Sequence, residues 1–236
     1  GPLRTSSDFK MREAEAYPDL YQESAARKTA DKAINILQGR CVGGSTTVNW
    51  TSSFRTPPRT LQWWQSAWGL KRLGVDAMAP WFAAMEQRLH VGLWPIPPNE
   101  NNAALARGAA QLGIPVAVIP RNVKMCWNLG YCGMGCPTNA KQSMLLTTLP
   151  AALTNGATLF SRLRAERFEF SGNKAISLTA LAMKADGIHP SSVKVTLRAR
   201  HFVLAGGAVN SPALLLRSKA VDPHGLLGKR TFLHPT

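Results

Sequence analysis

The sequence predicts an α/β fold, and three observations carry that expectation. Residues 202–216 pass from a continuously apolar segment through Gly206-Gly207 into a Leu-rich stretch, the order of a buried strand, a glycine turn and a helix. Residues 166–197 alternate apolar and polar side chains around turn residues, as paired strands do. Residues 61–112 carry bulky apolar side chains between helix start and stop signals. Hydrophobic residues fill 45% of 236 positions, enough to bury a core and to exclude a disordered tail.

Taken in order, residues 1–27 are polar and irregular, with Tyr17-Pro18 and Tyr21 as anchors. Ala25 to Leu37 predicts a helix, with Ala30, Ile34 and Leu37 on one face and Gly39 ending it. Gly39 to Asn49 is small and polar, and Pro57-Pro58 breaks the chain. Residues 61–90 read as helical. Their Trp63, Trp64, Trp68, Trp81 and Phe82, with Met78 and Met85, fit a helix core or an apolar lid, the core being the commoner outcome. Trp94 to Asn99 is a stiff loop. Asn101 or Asn102 caps a helix that runs to Leu112 and stops at Gly113 before Pro115.

Val116 to Ile119 predicts a short strand, and Asn122 to Asn139 a Cys/Gly loop. Lys141 either pairs with a phosphate or faces water, and water is the expectation. Ser143 to Thr154 is expected to be helical, with Pro150 kinking or ending it. Glu166 to Phe170 and Ala175 to Met183 form a hairpin through Ser171-Gly172-Asn173, and Val193, Val195 and Leu197 alternate as a third strand. His201 to Ala205 reads as a buried parallel strand. Ser211 then caps a helix with Pro212 in its first position.

The chain holds 28 Lys+Arg against 13 Asp+Glu, a formal charge of +15. Six of the acids lie within residues 1–31, so the remainder is the basic part. Such a body suits anionic partners such as nucleic acid, a phosphate-bearing cofactor or acidic lipid. The bases are dispersed, however, and form no block of the kind that binds polyanions, so a solvated surface is the simpler reading. There is no recognition-helix pattern and no zinc-finger His pair, so a nucleic-acid-binding module rests on charge alone. No apolar run approaches the roughly 20 residues of a membrane helix.

Two glycine segments suit a nucleotide. In Gly39 to Asn49, Gly43 and Gly44 let backbone N–H groups approach a ligand, and Ser45, Thr46 and Thr47 add hydroxyls. In Phe202 to Pro212, a strand, a glycine turn and a helix start follow one another. Each also reads as an ordinary turn, and no G-x-G-x-x-G occurs in the chain. Four cysteines make no disulfide scaffold, but Cys126, Cys132 and Cys136, followed by Pro137, sit on one glycine-rich loop. Three thiolates so placed read either as ligands of one iron–sulfur cluster or as a reduced, partly buried loop. Zinc would need a fourth ligand, and no His lies close by.

Together, Gly39-Arg40-Cys41-Val42-Gly43-Gly44-Ser45-Thr46-Thr47-Val48-Asn49 and Ala205-Gly206-Gly207-Ala208-Val209-Asn210-Ser211-Pro212, about 160 residues apart, resemble the two signatures of the glucose–methanol–choline (GMC) flavoprotein oxidoreductases. The resemblance covers nearly the whole chain. It implies part of an FAD-binding domain, Rossmann-like and of GMC type, with helical and β-hairpin insertions. Residues 1–56 and 151–236 would belong to FAD binding, and residues 57–150 to a substrate-side helical region with the Cys loop. It implies Arg40, Gly43, Gly44, Ser45, Thr46 and Asn49 around the FAD pyrophosphate and towards the flavin, and Ala165, Ala205 and Gly206 near adenine. Thr46 stands where the family usually has Ser, Ala165 where it usually has Val, and Lys219 where the second signature has Gly.

The Cys spacing resembles both the three-iron loop of bacterial FAD-dependent glucose dehydrogenases and the Cys loop of long-chain alcohol oxidase-like members. The activity implied is oxidation of a small-molecule alcohol at CH–OH, with oxygen, a quinone or a cytochrome as electron acceptor and a location in the cytoplasm or peripheral to the inner membrane. The family's GxGxxG opening and its C-terminal catalytic segment have no counterpart in this sequence. No catalytic residue is therefore assigned, His234 included, and the chain alone is expected to be an inactive fragment.

Overall fold

A computed structural model describes residues 1–232. His234 lies outside them. The chain forms two compact units: an N-terminal one, Arg4–Leu159, and a C-terminal one built from Phe160–Thr236 with Gly1–Leu3.

The N-terminal unit is organised around α1, Glu13–Leu20. Glu13 and Glu15 in its first turn suit the positive end of the helix. Its buried face supplies Ala16 and Leu20, which pack with Tyr21, Cys41 and Val48; Phe9, Tyr17, Ala25 and Met134 close around them. No helix spans Ala25 to Leu37. After a short 3-10 turn, Gln22–Ala25, the chain doubles back, with an antiparallel bridge between Lys28 and Asn35. Asp31 is the reason: its carboxylate accepts from the Thr29 hydroxyl and the Ala33 N–H, a local turn that competes with helix. Ile34 and Leu37 are left half-exposed.

Next come α2, Pro58–Trp68, and α3, Val75–Arg88. Pro58 fits the first helical position, and Gly69, at φ 64°, ends α2 in the left-handed region. The pair matches the expectation over 61–90, but its tryptophans do not form a core: Trp63, Trp68 and Trp81 are each more than half exposed. Strand β1, Val91–Leu93, precedes α4, Glu100–Gln111. The cap of α4 is Asn99, not Asn101 or Asn102, and its side chain accepts from the Asn102 N–H at 3.0 Å. Val116 to Ile119 is irregular. The strand forms at β2, Pro120–Asn122, where β1 supplies an antiparallel partner. Helix α5 is confined to Thr148–Thr154, which puts Pro150 in its first turn and removes any need for a kink.

The C-terminal unit is an antiparallel sheet in the order β3 (Leu163–Ser171), β4 (Lys174–Met183), β5 (Pro190–Leu197), with α6, Gly207–Arg217, against β3. Ser171 pairs with Lys174, and Gly172 adopts the positive φ of the tight loop between them. Phe168 is the buried centre, its ring edge-to-face with Phe202 at 5.3 Å. Residues 201–205 are not a strand: they pair with nothing among the described residues, and Val203 is 92% exposed. Helix α6 starts at Gly207, so Pro212 falls inside it rather than at its first position, and the Ser211 hydroxyl accepts from the Gly206 N–H at 2.9 Å.

Candidate cofactor site

The loop from Gly39 to Asn49 springs from the core around α1. The Arg40 N–H donates to the Leu20 carbonyl at 2.7 Å. Its guanidinium reaches the Pro18 and Asp19 carbonyls at 2.9 and 3.1 Å, so Arg40 caps the C-terminal end of α1. A Cβ on Gly39 would lie 2.6 Å from the Gly44 backbone, so only glycine lets the loop fold back on itself. Gly43 and Gly44 follow at φ 90° and 58°, two consecutive left-handed residues, and lead into a 3-10 turn, Gly44–Thr47. The N–H groups of Gly43 and Ser45 have no acceptor among the described residues. A Cβ added at Gly44 would meet nothing within 4 Å. The loop thus offers free donors beside open space, the cradle expected for an anionic phosphate group.

The hydroxyls divide the work. Ser45 Oγ accepts from the Gly39 N–H at 3.0 Å. Thr46 donates to the Gly43 carbonyl at 2.6 Å and accepts from the Met144 N–H at 3.0 Å, so its hydroxyl braces the turn. Thr47 donates to the Val42 carbonyl at 3.1 Å. The Asn49 side chain accepts from the Thr51 N–H at 3.2 Å and remains exposed. Cys41 lies buried under the turn, and burial pushes its thiol pKa up.

The Cys loop packs against this cradle through two side chains. Tyr21 donates to the Gly133 carbonyl at 2.6 Å, and burial pushes its phenol up to about 12. Lys141 was expected in water but is 3% exposed. Its ammonium donates to the carbonyls of Thr47 at 2.9 Å, Asn49 at 2.7 Å and Cys132 at 2.5 Å. Burial lowers its pKa to about 8, partly offset by the nearby Cys132, Cys136 and Cys41 thiols. Gly135 faces the Phe9 ring, 2.5 Å from where a Cβ would stand.

The three loop thiols lie near enough for Cys126 and Cys136 to act electrostatically on Cys132. Among the described residues no group of three or more His, Cys, Asp or Glu is placed to hold a metal ion, so the structure does not show a cluster at Cys126, Cys132 and Cys136. Each sulfur has its own surroundings. Cys126 accepts from the Asn128 N–H at 3.3 Å. Burial pushes Cys132 up, against the pull of Lys141 and Arg121. Burial also raises Cys136, but hydrogen bonds from the Thr138 hydroxyl and from the N–H groups of Lys141, Thr138 and Ala140 outweigh it, leaving that thiol below its ordinary value.

Ala165, Ala205 and Gly206 lie in the C-terminal unit. Ala165 pairs with Ala180 just before a bulge in β3, and Ala205-Gly206 leads into α6.

The GMC oxidoreductase family model matches residues 17–236. The chain belongs to this family. The two signatures had implied this assignment. A long-chain-alcohol oxidase, FAO4B of Arabidopsis thaliana, is 31% identical over 241 residues, covering 100% of this chain and 32% of that protein. An uncharacterized GMC-type oxidoreductase of Mycobacterium tuberculosis is 32% identical over 221 residues, 93% of this chain and 34% of its own length. The chain therefore spans about a third of these curated relatives. Among solved structures, pyridoxine 4-oxidase from Mesorbium loti superimposes with a TM-score of 0.58 at 22% identity, covering 78% of this chain and 37% of that one, and so shares the GMC fold. No helix among the described residues is long and apolar enough to cross a membrane.

Proposed function

We propose that this GMC chain is the part of an FAD-dependent alcohol oxidoreductase that holds the cofactor's pyrophosphate. The observation that carries the reading is the pair of left-handed glycines, Gly43 and Gly44, with N–H donors at Gly43 and Ser45 that have no acceptor among the described residues and open space over Gly44. Backbone donors so placed suit an anion that must come closer than a Cβ allows. Arg40 contributes positive charge while its guanidinium holds the end of α1, and Asn49 stands exposed at the far end of the loop. By family resemblance, Ala165, Ala205 and Gly206 serve the adenine end. Residues 57–150 belong to the substrate side, and residues 1–56 and 151–236 to FAD binding. When bound, the flavin would accept a hydride from the CH–OH carbon; the chain's own contribution is binding and orientation.

The test is flavin retention in the full-length protein. Gly44→Ala should place a methyl group in the cradle and raise the Kd for FAD by at least about tenfold. The apoprotein should meanwhile lose only about 1–2 kcal/mol, for a left-handed alanine. Unchanged FAD affinity in that variant would remove the reading.

A further inference from the structure

We propose that Lys141 is a positioning residue of the cofactor loop: its ammonium draws the Thr47 and Asn49 carbonyls and the Cys132 carbonyl onto one point, and so sets the loop that receives the pyrophosphate. The inference rests on reading Gly39 to Asn49 as the FAD site.

The geometry is specific. Lys141 has three N–H donors, and all three are engaged, each on a backbone carbonyl. No carboxylate pairs with it among the described residues. A buried ammonium without a counter-charge is expensive, and a Met or Leu would fill the space at lower desolvation cost. What the ammonium adds is direction. A trans peptide points its N–H away from its C=O. Holding the Thr47 and Asn49 oxygens inward therefore turns the Val48 and Trp50 N–H groups away from Lys141. The Val48 N–H then closes on the Ser45 carbonyl at 3.2 Å, completing the turn whose first residue is Gly44. The third carbonyl, Cys132, ties the same point to the Cys loop, which Tyr21 anchors independently through Gly133. A positive charge touching two carbonyls of the loop also favours an anion there.

The test uses the full-length protein and reads FAD affinity, the apoprotein melt and the visible circular dichroism of bound flavin. Lys141→Met keeps the methylene length and removes charge and donors. It should raise the Kd for FAD by roughly tenfold or more and change the flavin dichroism, while the apoprotein still melts cooperatively. Lys141→Gln keeps two donors without the charge; if the Met variant does not fold, it is read the same way, with the same expected direction. FAD binding equal to wild type in a folded variant, with Gly44→Ala still impaired, overturns the role of Lys141 and leaves the site standing. A loss of affinity that only follows a lowered melt, with unchanged dichroism, also overturns it, because a general brace would behave so. A wild-type protein that binds no FAD removes the site, and this inference with it.

Discussion

Gly39 and Gly44 belong to one loop and differ in what they need. A Cβ at Gly39 would strike main chain, which cannot swing aside, whereas at Gly44 it meets nothing. Gly39→Ala should therefore lower stability by about 1–3 kcal/mol, read as a shift of the urea midpoint; a neutral result would mean the loop can open there without loss. Lys141 makes a second residue-scale prediction. With its pKa near 8 in the fold against 10.5 ordinarily, the unfolded chain binds more protons between those values. Stability should then rise with pH across that window, by up to about 3 kcal/mol, the whole penalty being present below it. Denaturant unfolding near pH 7 and near pH 10 should show wild type gaining on Lys141→Met; parallel slopes would place the ammonium in water. The sequence signalled the loop glycines, because glycine is the residue that left-handed backbone requires. It did not signal Lys141, whose partners are carbonyls that any residue type could present.

At the scale of elements, what was legible in the sequence was what local chemistry decides. The β3–β4 hairpin was readable because alternation and a glycine turn agree, and α4 because start and stop signals frame it. The failures have two causes, one local and one tertiary. Ala25 to Leu37 has helical spacing, but Asp31 offers the backbone a competing turn. Residues 201–205 have the apolar character of a buried strand, yet a strand also needs a partner ladder, and none stands beside them among the described residues. Two caps test the elements that did form. Asn99→Ala should weaken α4 by about 1 kcal/mol, visible as faster amide exchange over residues 100–111; unchanged exchange would mean the cap is redundant. Ser218 bonds the Phe168 N–H at 2.9 Å and the Leu214 carbonyl at 2.6 Å, joining α6 to β3. Ser218→Ala leaves that buried N–H unpaired and should lower stability by about 1–3 kcal/mol, measured by denaturant unfolding; a loss below a few tenths would show the sheet adjusting.

For the whole molecule, the break between the two units falls at Leu159 and Phe160, where the backbone is irregular and Phe160 is 67% exposed. Limited chymotrypsin digestion should cut there before it cuts within residues 163–197; an earlier cut inside the sheet would contradict the division. The long reach of the Lys141 contacts has a consequence in time. Thr47 and Lys141 are 94 positions apart, and Tyr21 and Gly133 are 112 apart. At ribosomal speeds, the nascent Gly39 to Asn49 segment waits on the order of 5–20 s before its clamp is even synthesised. Closing so long a loop then adds an entropic barrier of its own. During that interval the glycines lack the contacts that hold their left-handed conformation, so the loop takes its final shape late in the life of each chain, and nascent chains ending before residue 141 would leave it slack.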